Sequence, residues 1–149
     1  MLPEWFALLA PLPPEARPTR RPLVPDEGQP SPETAAIAGW SSLVLELSPG
    51  PQGLRVLIVT LDGEGKVLSA SDMVHSVVTG QPGKPRLLRQ ESLGGRFEPD
   101  GTFRGTRWHG TATAVEGDAE PDWKLTSGAP EDHEVTRLRQ LVADLVGRA

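Results

Sequence analysis

From Trp40 onward apolar and polar residues alternate with a period of two, the spacing that sends successive side chains to opposite faces of a sheet. Leu43, Leu45 and Leu47 share one face of a first strand, which the segment Pro49-Gly50-Pro51-Gln52-Gly53 ends. Leu54 to Leu61 is apolar on both faces, the pattern of a central strand. The turn Asp62-Gly63-Glu64-Gly65-Lys66, with Gly65 in the left-handed region, pairs Leu61 with Val67 and starts a third strand that reaches Val74. Residues 75–85 hold Gly80, Pro82, Gly83 and Pro85 and read as a loop.

Residues 86–97 and 102–114 form a second hairpin. Pro99 presets φ at the first central position of its turn, Asp100 suits the second, and Gly101 supplies a positive φ, so Glu98 faces Thr102. The register follows: Phe97 opposes Phe103, Arg96 opposes Arg104, Leu93 opposes Arg107, Ser92 opposes Trp108 and Glu91 opposes His109. A bulge at Gly94-Gly95 would reverse parity beyond it and place Trp108 and Ser92 on the phenylalanine face instead.

Residues 123–125 are ambiguous. A helix starts near Pro130, with Glu131, Asp132 and Glu134 in its first turn. Val135, Leu138, Leu141, Val142, Leu145 and Val146 make its apolar stripe, and Gly147 stops it. The predicted fold is therefore α+β: an antiparallel sheet of about five strands (two hairpins plus one strand), open or curled, packed by a C-terminal amphipathic helix.

Ahead of the sheet, eight prolines between Pro11 and Pro32 rule out a helix or a central strand and predict an extended arm. Before them Trp5, Phe6, Leu8 and Leu9 form an apolar piece too short to be stable alone, which must dock on its own domain or on a partner. The expected division is 1–38, apolar segment and proline-rich arm, and 39–149, a single α+β domain. Pro22-Leu23-Val24-Pro25 has polyproline spacing, but Thr19 and Glu27 stand where basic flanks would strengthen it.

The composition removes several chemistries. The chain has 149 residues and no cysteine, which excludes disulfide frameworks, thiolate catalysis and cysteine-ligated metal. Apolar residues before Pro11 follow Glu4 with no Lys or Arg, unlike a secretory signal, and no run approaches the roughly 18 apolar residues of a membrane span. A cytoplasmic protein with no membrane contact is the expectation. The net charge of −5 disfavours a general nucleic-acid surface. Within that total, residues 84–110 carry six basic and three acidic side chains, and residues 111–134 one basic and seven acidic.

Two polar groupings follow from the register. Glu91, Arg107 and His109 continue the face of Leu93, Phe97 and Phe103, together with Arg89; Glu91 and His109 would lie about 5 Å apart at Cβ, close enough for a carboxylate to orient an imidazole. They are the candidate ligand-binding residues. Arg96 and Arg104 are like charges directly opposed, which calls for solvation, for Glu98 between them, or for a shared anion; they are the candidate anion site. His75, His109 and His133 lack metal-ligand spacing, so no metal and no cofactor is expected. Asp72, His75 and Ser76 are too crowded for a hydrolytic triad.

The function favoured by these features is a non-enzymatic protein-interaction or assembly-subunit domain. The arm, through Trp5, Phe6, Leu8 and Leu9, and the sheet surface would meet a protein partner or a second copy. The alternative is a small-molecule-binding protein or enzyme with a pocket between sheet and helix.

Overall fold

Both predicted hairpin turns form as the sequence dictates. In the computed structural model, which describes residues 7–23, 39–50, 53–77, 86–114 and 122–149, Asp62 N–H donates to the Lys66 carbonyl and Glu98 N–H to the Thr102 carbonyl. Gly65 and Gly101 take φ of 87° and 91°, which glycine adopts without a Cβ penalty. Asp62 and Asp100 carboxylates accept from the backbone N–H groups of Glu64, Lys66 and Thr102, locking the tips.

Among the described residues the sheet has seven antiparallel strands in sequential order. They are β1 (Thr19–Pro22), β2 (Ser41–Gly50), β3 (Gly53–Leu61), β4 (Val67–Val77), β5 (Arg86–Phe97), β6 (Phe103–Ala114) and β7 (Lys124–Gly128). The expectation of about five is corrected at both edges. β1 comes from the proline-rich arm, where an edge position spares Pro22 from donating to the ladder. β7 is exposed along its whole length, so no alternation marked it in the sequence. β4 also runs past Val74 into the segment read as a loop, and residues 78–85 lie outside the described residues. Among the described residues β1 and β7 are the two edges and do not pair with each other, so the sheet they form is open.

Helix α1 (Asp132–Gly147) covers one face. Asp132 and Glu134 sit in its first turn, favourable to the helix dipole, and Glu131 N–H donates to the Glu134 carboxylate. Its buried Leu138, Leu141, Val142 and Leu145 meet Leu43, Leu45, Leu57, Val59, Leu61 and Leu93, each buried leucine contributing roughly 1.5–3 kcal/mol. Phe97 and Phe103 pair at 5.1 Å, and Arg139 of α1 stacks on Phe97 and donates to the Gly101 carbonyl.

The same face receives residues 7–16. Leu9, Leu12 and Ala16 join the core, and Arg148 donates to the carbonyls of Pro13 and Ala16 while Arg137 donates to that of Leu9. Leu9 has φ of 63°, a left-handed conformation that costs a side-chain-bearing residue about 1–3 kcal/mol unless its surroundings enforce it.

Candidate functional site

The β5–β6 ladder runs unbroken from Arg86 opposite Ala114 to Phe97 opposite Phe103, with no bulge at Gly94-Gly95. Glu91, Arg107 and His109 therefore emerge on the helix side, just beyond buried Leu93, and the structure brings all three together. Arg107 is the hub. Its Nη2 donates to Glu91 Oε1 at 3.2 Å, its Nε to Glu134 Oε2 in the first turn of α1 at 2.9 Å, and its Nη1 to the Trp108 carbonyl at 3.0 Å. His109 Nδ1 lies 3.5 Å from the same Glu91 oxygen, and Arg89 Nη2 lies 3.3 Å from the other.

The ionisation of this cluster follows from its geometry. Burial pushes the Glu91 carboxyl up, but the Arg107 hydrogen bond and the charges of Arg89 and Arg107 outweigh it and leave it below the usual range. Burial likewise opposes ionisation of Arg107 and Glu134; their mutual bond, the Glu91 bond to Arg107 and the Glu131 N–H bond to Glu134 raise the one and lower the other. Glu91, Arg107 and Glu134 are therefore all charged at neutral pH.

A cleft of about 530 Å³ opens beside it, between the sheet end and the start of α1, and Glu131 and His133 complete its rim. His133 Nδ1 lies 3.2 Å from Glu131 Oε2. Two carboxylates already engage the Arg107 guanidinium, so it is a poor receptor for an anion. Three glutamates make the cleft better suited to cationic or neutral polar groups. His109, 46 % exposed, lies beside Glu91 and lines the cleft.

Arg96 and Arg104 lie on the opposite, open face, at the Pro99-Asp100-Gly101 end of the hairpin. Glu98 Oε1 sits 3.3 Å from Arg96 Nε and 3.0 Å from Arg104 Nε, so one carboxylate bridges the two opposed cations. The acidic stretch from Glu116 to Glu120 lies outside the described residues.

The sequence reading missed the most buried polar group. Arg55 and Asp72 are wholly buried among the core leucines. Arg55 Nε and Nη2 donate to the two Asp72 oxygens at 3.1 and 2.8 Å. Leu9 N–H donates to Asp72 Oδ2 at 2.8 Å, and Arg55 Nη2 donates to the Ala10 carbonyl at 2.9 Å. A charge pair in the sheet thereby fastens the chain's own N-terminal segment, left-handed Leu9 included. The signal was Arg55 itself, a charge in step with Leu57, Val59 and Leu61.

Leu8 and Leu9 pack on the chain's own core; Trp5 and Phe6 lie outside the described residues. Asp72, expected in the third strand, and His75 and Ser76, expected in the loop after it, all belong to β4. Asp72 serves the core, whereas His75 points to the open face, edge-on to Trp123 at 6.3 Å, and burial lowers its pKa. Among the described residues no three His, Asp or Glu side chains converge on a metal position, and no helix is long and apolar enough to cross a membrane. Comparison with known protein families, with curated protein sequences and with solved structures finds no match to this chain.

Proposed function

We propose that the chain is a protein-interaction domain whose contact surface is the open face of the sheet. One observation carries the reading: Leu54, Ile58, Trp108 and Leu125, four of the five large hydrophobic side chains exposed among the described residues, lie on that face. Apolar side chains gathered on one surface favour association, because burying them against a partner removes them from water. The helix side is filled by α1 and residues 7–16, which leaves the open face for a partner protein or a second copy. Trp5 and Phe6 of the arm are proposed to add a contact of their own, which the chain lacking residues 1–6 would lose.

The test is native mass spectrometry of the protein purified gently from its own cells, alongside a Leu54→Glu/Leu125→Glu variant and a chain lacking residues 1–6. The wild type should carry a stoichiometric protein or a second copy, and the glutamate variant should lose it. A partnerless wild type at micromolar concentration, or an association indifferent to the two glutamates, refutes the reading.

The second reading is a small-molecule site at the Glu91–Arg107–His109 cleft, favoured by the convergence of those side chains with Glu134. It predicts a bound small molecule in the same spectrum, lost in His109→Ala.

A further inference from the structure

The open face also holds a groove of about 600 Å³, within the range of small-ligand sites. We propose that this groove binds an amphiphilic carboxylate, a flat aromatic body on a short flexible chain that ends in the acid. The inference goes beyond the docking reading and does not need it to hold: Ile58 and Trp108 belong to both, but Leu54 and Leu125, the residues changed in the docking test, do not line the groove.

Three rows of the sheet build it. At one end Trp108 stands opposite Ser92, its indole 42 % exposed and without a ring partner among the described residues. In the middle row Ile58, Ser71 and Gly94 are neighbours on β3, β4 and β5. A Cβ on Gly94 would fall 2.8 Å from the Ser71 Cβ, so close strand packing keeps this floor free of a side chain. At the far end Ser69, Arg96 and Arg104 form the third row.

Charge complementarity selects the ligand. Each guanidinium makes its closest approach to Glu98 through Nε, and neither has another carboxylate partner among the described residues. Two cations share one anion, so the end row carries an excess positive charge on an otherwise acidic chain. A carboxylate there would complete the neutralisation and accept charge-assisted bonds. The hydroxyls of Ser69, Ser71 and Ser92 have no side-chain hydrogen-bond partner among the described residues and line the path between the ends. Trp108 and Arg104 are four residues apart on one strand, about 13 Å. With both side chains reaching into the groove, a bicyclic ring and a three-carbon spacer bridge that span.

The probes are 4-(2-naphthyl)butanoate and its neutral counterpart 4-(2-naphthyl)butan-1-ol, titrated calorimetrically into the full-length chain. The acid should bind one-to-one and at least tenfold more tightly than the alcohol. That advantage should fall to within twofold in Arg96→Gln/Arg104→Gln and shrink in 0.5 M salt, whereas Trp108→Ala should weaken both probes about fivefold or more. Both arginine side chains are more than two-thirds exposed, so the glutamine variant is expected to fold, which an unchanged urea midpoint verifies. No saturable binding, equal affinity for acid and alcohol, or an acid preference that survives the glutamine variant overturns the proposal.

Discussion

Removing the Asp72 carboxylate should unfasten the N-terminal segment and destabilise the whole sheet. Asp72→Ala takes away the carboxylate that both Nε and Nη2 of the buried Arg55 guanidinium bond, and it removes the acceptor of the Leu9 N–H. Breaking a buried pair from one side costs about 3–5 kcal/mol, and an unsatisfied buried donor adds about 1–3 kcal/mol. Against a typical stability of about 5–15 kcal/mol, the variant should be severely weakened, with the Leu9 and Ala10 amides newly open to hydrogen exchange as residues 7–16 detach. Arg55→Met/Asp72→Leu removes both charges and fills the space, so it should recover most of the loss while still leaving the Leu9 N–H and the Ala10 carbonyl without these side-chain partners. Urea unfolding of both singles and the double gives the coupling energy directly. A cost below about 1 kcal/mol for Asp72→Ala, or a double variant as unstable as the sum of the singles, would refute the argument.

Three further outcomes follow from the same geometry. Arg107→Met should cost about 2 kcal/mol at pH 7 by stripping Glu91 and Glu134 of a charged donor. Because both carboxyls titrate below their ordinary value when folded, that gap should close as pH falls through their folded values, read as urea midpoints from pH 7 to 3. Burial lowers the His75 pKa, so the unfolded chain takes up that proton more readily; stability should fall as pH drops below about 6.5, and His75→Gln should remove that component of the profile. Gly95→Val should cost about 3 kcal/mol, because its Cβ would strike the Arg104 carbonyl and the Gly105 Cα across the ladder, backbone that no rotamer change can clear; thermal unfolding within a degree or two of wild type would contradict this.

How much was legible depended on how each feature is encoded. The β5–β6 register was readable from its turn, because no bulge interrupts the pairing at Gly94-Gly95 or beyond. The same reasoning failed across β3 and β4. The Asp62–Lys66 turn pairs Leu61 with Val67, and continuing that count would put Asp72 on the open face. Thr60 in fact opposes Ser69, so Leu68 is an extra residue that reverses parity and swings Ala70, Asp72 and Val74 toward α1. No glycine or proline marks this bulge, and without it the Arg55–Asp72 pair is invisible. The polar end at Glu91, Arg107 and His109 needed only the hairpin and was readable. Its tie to Glu134 was not, because the angle at which α1 crosses the sheet is set by tertiary packing and not by local pattern.

Parity also sorts the basic stretch into two electrostatically different places, and this yields a prediction with opposite signs for stability and binding. Arg89 and Arg107 are odd-numbered positions on the helix side, where Glu91 and Glu134 meet them. Arg96 and Arg104 are even-numbered positions on the open face, where Glu98 stands between them. Glu98→Gln would leave two directly opposed cations uncompensated, which should destabilise the hairpin by about 0.2–1 kcal/mol. The same change removes the anion that competes for both guanidiniums, so 4-(2-naphthyl)butanoate should bind more tightly to the less stable protein, and the alcohol should bind as before. If affinity for the acid falls along with stability, Glu98 positions the arginines for the ligand instead of occupying their place.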